Sequence, residues 1–118
     1  MLKVAVFVLA DTETHGDLGR LVNALIAVKE LKEAGDTGIL VFDGAGTKWP
    51  VELSRNDHLG HPLYEAVREN VAGVCRFCAG AFGVEAEIAG LGMALLDEFD
   101  HHPSLRTYLS EGYQVITF

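Results

Sequence analysis

The sequence predicts an α/β protein, a three-layer α/β/α sandwich on a mainly parallel five-stranded sheet, and three observations carry that prediction. Short runs that are apolar at almost every position alternate with stretches whose apolar residues recur at helical spacing. A strand that is apolar on both faces belongs to a parallel sheet covered by helices, because neither face meets water. The order reads β-α-β-α-β-α-β-α-β from end to end, which builds parallel strands joined by helical crossovers.

Each element has its own reason. Lys3 to Leu9 is an almost unbroken apolar run rich in valine, and Asp11 stops it. After a polar loop, Leu18, Leu21, Val22, Leu25, Ile26, Val28 and Leu31 mark a helix that Gly35 ends. Gly38 to Phe42 is a second buried strand, followed by a loop with a broken turn or two. His61 to Arg68 reads as a helix with Pro62 in its first turn. Val71 to Cys75 is the third strand, and Ala79 to Ala89 a helix interrupted by glycines. Met93 to Leu96 is a short fourth strand, Pro103 to Leu109 a last helix closed by Gly112, and Tyr113 to Phe118 the fifth strand.

Size and charge bound the function. The chain has 118 residues and a mass of 12.8 kDa, which fits one domain spanning 1–118. A hydrophobic content of 49% suffices for a core. The net charge of -8, with no basic stripe, argues against nucleic acid, since phosphate contacts need clustered Lys and Arg. The first apolar run is too short to span a membrane and lacks a signal-peptide cleavage pattern, so a cytoplasmic protein is expected. In that compartment a close cysteine pair points to redox, metal or transfer chemistry rather than to a structural disulfide.

In a parallel sheet the loops after the carboxyl ends of the strands share one rim, where ligands bind. Here the first loop carries Asp11 and His15, the second Asp43, the third the two cysteines, and the fourth Glu98, Asp100, His101 and His102. Cys75 and Cys78, the only cysteines in the chain, stand where a strand gives way to a helix. A thiol there, facing backbone N–H groups and open to an incoming partner, is expected to favour thiolate, with Arg76 as a further source of positive charge. Four readings of the pair stand side by side: two small buried residues, zinc ligands, a dithiol redox couple, and a thiolate that carries sulfur. His58 and His61 share the three-residue spacing, so HxxH followed by CxxC has the ligand types of a zinc site. Nothing in the sequence fixes the two pairs near each other, and no metal ligand is assigned.

Other rim groups have plainer readings beside functional ones. His15 is either a proton shuttle or a solvated loop residue. His101 and His102 satisfy a helix start or act as ligands, and Asp43 caps a turn or orients a donor. The run Gly44 to Lys48 lacks the spacing of a phosphate-binding loop and reads as a tight turn. Trp49 is read as a packing or subunit-contact residue. No motif calls for a cofactor.

The run Val74-Cys75-Arg76-Phe77-Cys78-Ala79-Gly80-Ala81-Phe82-Gly83-Val84 resembles the strand-to-helix segment of the DsrE/DsrF-like proteins of bacterial and archaeal sulfur relay. The opening strand with its polar loop, Phe42 to Gly46, His102-Pro103-Ser104 and Gly112 to Ile116 resemble small single-domain members of that family. The resemblance implies a DsrE-like domain of the flavodoxin-like class that assembles into trimers or hexamers. It further implies a persulfide held on Cys75, with Cys78 as a second thiol; the rim position of Asp11, His15, Asp43, Arg76 and His102 makes these the candidate substrate-binding groups around them. The partners it implies are sulfur donor and acceptor proteins or small thiols, so a sulfurtransferase or relay subunit is expected. Where relay members carry arginines in the helix after the cysteine, this chain has Ala81 and Phe82. The alternatives are a non-catalytic small-ligand-binding or assembly module of the same fold, or a zinc-stabilised domain.

Overall fold

The runs that are apolar on both faces form the centre of the sheet. In the computed structural model, which describes residues 1–118, β1 (Lys3–Val8) pairs with β2 (Thr37–Phe42) in parallel from Lys3 opposite Thr37 to Val8 opposite Phe42. On its other side β1 pairs with β5 (Gln114–Thr117), while β3 (Val71–Cys75) pairs with β2 and with β4 (Leu95–Leu96). The order is β4-β3-β2-β1-β5 and every pairing is parallel.

This order dictates where the helices lie. From β1 to β4 the chain steps one strand at a time in one direction, then returns past β1 to place β5. Right-handed crossovers therefore put the helices before β4 on one face and the helix between β4 and β5 on the other. Packing follows that rule. Val4, Val6, Val8, Leu40, Phe42 and Val74 face a large core with Leu21, Leu25 and Val28 of α1 (His15–Glu33), Tyr64 of α3 (His61–Val67) and Ile88 of α5 (Glu85–Gly90). Ala5, Phe7 and Val41 point the other way, beneath Tyr108 of α6 (Leu105–Ser110) and Tyr113. The architecture is the predicted α/β/α sandwich, with one helical layer thick and the other a single short helix.

Local sequence explains the boundaries. Thr14 caps α1 by accepting from the Asp17 amide at 3.1 Å, and the Asp17 carboxylate accepts from the Thr14 amide in return, a capping box. Three elements differ from expectation. The single helix expected over Ala79 to Ala89 is two, α4 (Arg76–Ala81) and α5, because Gly83 takes a left-handed φ of 73° that ends the first. The expected loop after Phe42 holds a 3-10 helix (Gly44–Lys48) and α2 (Trp49–Leu53). The fourth strand is only two residues long.

Within the 44–48 run, Gly46 serves packing. A Cβ at Gly46 would lie 2.1 Å from the Val8 carbonyl oxygen, so only glycine lets the 3-10 helix approach β1. Trp49 is buried and donates from Nε1 to the Ala10 carbonyl at 2.8 Å, which makes it a packing residue. No helix is long and apolar enough to cross a membrane.

Candidate functional site

Four segments deliver side chains to one point at the carboxyl edge of β2, β3 and β4. Asp43 follows β2 and its Oδ1 accepts from the Gly44 amide at 2.8 Å, which starts the 3-10 helix. Cys75 is the last residue of β3 and caps α4, its Sγ accepting from the Cys78 amide at 3.4 Å. Cys78 sits in the first turn of α4. His102 arrives by a tight turn in which Phe99 and His102 exchange backbone hydrogen bonds of 2.9 and 2.8 Å. The two residues between them, Asp100 and His101, have φ of 48° and 68°, the positive values a two-residue reversal of type I′ requires. The His101 carbonyl then accepts from the Phe77 amide at 2.9 Å, tying the turn to the start of α4.

One donor atom each of Asp43, Cys75, Cys78 and His102 falls within 4.8 Å of the others. Cys75 Sγ lies 3.2 Å from His102 Nδ1, hydrogen-bond contact for a thiol and an imidazole. The Phe77 ring packs on the His102 imidazole, centroids 5.0 Å apart, and limits its rotation. Asp43, Cys78 and His102 are half-buried, whereas Cys75 is completely shielded. Both cysteines carry free thiols.

The electrostatics correct one expectation. Burial pushes the Cys75 thiol up to about 12, and the Asp43 carboxylate adds to the rise, while the Cys78 amide alone opposes it. Burial likewise raises Cys78, against hydrogen bonds from Cys75 and the Gly44 amide. A strand-to-helix junction was expected to favour thiolate and to stand open. Instead α4 is only six residues long, one amide reaches the sulfur, and desolvation wins. With the His101–His102 segment against it, Cys75 is reached only past its neighbours, and Cys78 is the more accessible sulfur.

Of the remaining expected site residues, none joins this cluster. Arg76 turns outward to Asp97, with Nε 3.2 Å from Oδ2, and does not act on the Cys75 thiol. Asp11 pairs with Lys48, which holds its carboxyl below the usual range. His15 is the exposed first residue of α1. The HxxH pair is structural: His58 accepts from the Gly60 amide and packs edge-on against Trp49, while His61 Nδ1 meets the Leu53 carbonyl at 2.7 Å. Phe77, which braces His102, escaped the sequence reading, since an aromatic between two cysteines carries no signal of what it touches.

No protein-family model matches the chain, and no solved structure matches it. Among curated proteins it is similar to the uncharacterized protein MJ0733 of Methanocaldococcus jannaschii, with 32% identity over 96 residues, 81% of this chain and 78% of the relative.

Proposed function

We propose that this chain, which belongs to the same family as the archaeal protein MJ0733, is a sulfur carrier of the DsrE/DsrF-like kind that holds a persulfide on Cys75. The observation that carries the reading is the 3.2 Å contact between Cys75 Sγ and His102 Nδ1, with the second thiol, Cys78, in the same cluster. A thiol that burial keeps protonated needs a base beside it, and His102 is that base.

The exposure difference divides the work. Cys78 meets the donor: it releases its proton to solvent, the resulting thiolate attacks the outer sulfur of a donor persulfide, a new S–S bond forms, and the donor leaves as its thiolate. Cys75 gives its proton to His102 and attacks the same outer sulfur, which moves to Cys75 as Cys78 leaves as thiolate. An acceptor thiolate then takes the sulfur, and Cys75 recovers its proton from His102. Every step is redox-neutral. If Cys78 instead attacks the inner sulfur, a Cys75–Cys78 disulfide forms and the outer sulfur departs as sulfide, a two-electron oxidation of the pair.

The partners in this reading are donor and acceptor proteins or small thiols in the cytoplasm. The thinly covered sheet face, where Ile39 and Val115 are half-buried, supports a homo-oligomer, a trimer or hexamer, in which a second copy covers what α6 does not. The test is intact mass after exposure to a persulfide donor followed by a glutathione chase. The wild type is expected to gain one sulfur that survives the chase. Cys78→Ser is expected to load slowly, and Cys75→Ser to lose its sulfur to glutathione from the more accessible Cys78. No gain in the wild type would leave a non-catalytic binding module, and equal loss from both variants would overturn the assignment of the held persulfide to Cys75.

A further inference from the structure

The four side chains at the carboxyl edge are also a ligand set for a soft divalent metal. In a tetrahedral zinc centre with Zn–S near 2.3 Å and Zn–N or Zn–O near 2.1 Å, neighbouring ligand atoms stand roughly 3.3–3.8 Å apart. Cys75 Sγ and His102 Nδ1, at 3.2 Å, stand slightly inside that spacing and need to part by only roughly a few tenths of an ångström. All four donor atoms lie within 4.8 Å of one another, so closing on an ion requires movements of about 1 Å. We propose that Asp43, Cys75, Cys78 and His102 bind one Zn²⁺ per chain, and that HxxH takes no part.

The chemistry of the donors selects the metal. Two sulfurs exclude calcium and magnesium, which take oxygen ligands, and with an imidazole they favour zinc. As thiolates with one carboxylate they supply three negative charges to a divalent ion. Each thiol releases its proton to solvent as its sulfur–metal bond forms, and no electron is transferred. The surrounding shell is in place. The Gly44 amide holds Asp43 Oδ1 and so orients its carboxylate; the Cys78 amide orients Cys75 Sγ; Phe77 packs on the His102 ring. Asp43 and Cys75 stand at the ends of the adjacent strands β2 and β3 and Cys78 one turn on in α4, so three of the four donors are placed before any ion arrives, and His102 closes on it from the β4 arm.

This inference rests on the donor set and not on the sulfur reading. A bound ion engages both sulfurs, so metal and persulfide are mutually exclusive occupants, and zinc would hold the carrier in an unreactive state.

The test is anaerobic titration of the reduced, metal-free full chain with Co²⁺, followed in the near-ultraviolet and visible. One equivalent is expected to develop thiolate-to-cobalt charge transfer and the intense visible bands of a tetrahedral site, and Zn²⁺ to bleach both. Cys78→Ser is expected to lose part of the charge transfer. Asp43→Asn should keep it, shift the visible bands and weaken zinc binding by about 10–100-fold. His58→Gln and His61→Gln should change nothing. Far-ultraviolet circular dichroism of each variant separates lost binding from lost folding. Pale octahedral bands without charge transfer, or a spectrum abolished by His58→Gln, would overturn the proposal. Sulfur loading of the same metal-free protein keeps the two readings apart: loading without a cobalt spectrum sinks this one alone, and a cobalt spectrum without loading sinks the other.

Discussion

Strands β1 to β3 and the β4 arm meet at the cysteines and differ in construction. The first three are five or six residues long, and Val6, Val8, Leu40, Phe42 and Val74 on them are wholly buried under α1, α3 and α5. β4 is two half-buried residues, followed by Phe99, which is 66% exposed, and by a reversal through two left-handed non-glycine residues. Asp43 and Cys75 stand on the first region and His102 on the second. Cys75 and Asp43 thus have a rigid floor, while His102 rides on an arm held by a handful of hydrogen bonds. Elements with few buried contacts open most readily, so movement at the site is expected to begin with His102.

Breaking the comparison at its strongest point should give the largest effect. Leu25→Ala or Leu40→Ala, both at fully buried positions, should cost about 2–5 kcal/mol in chemical denaturation. Leu105→Ala on the exposed side should stay within about 0.5 kcal/mol. Equal losses would mean the two helical layers carry the fold alike. Next is Gly46→Ala, whose methyl meets the backbone of Val8 and has no flexible neighbour to displace. It should cost about 1–3 kcal/mol by the same measurement.

The two thiols sharpen the contrast further. In metal-free protein at neutral pH, iodoacetamide should consume Cys78 well before Cys75, and the rate at Cys78 should keep climbing above the ordinary thiol range, as peptide mass spectrometry can follow. Folding raises the Cys75 thiol above its unfolded value, so the folded state holds that proton more tightly. The resulting stability is complete below the unfolded thiol value of about 8.5 and is lost as pH rises toward about 12. Cys75→Ser should flatten that alkaline slope. The smallest expected effect is His101→Gly, which relieves a left-handed non-glycine residue and should add about 0.5 kcal/mol.

Much of this was legible in the residues, and the rest failed for identifiable reasons. Asp43, Cys75, Cys78 and His102 were all marked by the sequence, because parallel topology alone sends the ends of β2, β3 and β4 to one rim. Exposure was not legible. Whether a strand-end sulfur faces water depends on what folds over it, and here that is a turn made by Asp-His rather than by the Asn-Gly or Asp-Gly that would announce it. Arg76 misled through adjacency: as the first residue of α4 it points outward to Asp97. The five residues of α2 are too few to display a period, although Pro50 at its start is a helix signal. Gly83 was visible as an interruption, yet only its left-handed φ shows that it divides one helix into two.

The central claim is that Cys75 and His102 act as one chemical unit, and the rate at which sulfur from a persulfide donor becomes resistant to a glutathione chase, the sign that it has reached Cys75, tests it most directly at neutral pH. His102→Gln, shown by circular dichroism to be folded and stripped of metal, is expected to acquire chase-resistant sulfur about 100-fold more slowly than the wild type. A variant that acquires it at the wild-type rate would contradict the account, because Cys75 would then be gaining its sulfur without help from His102.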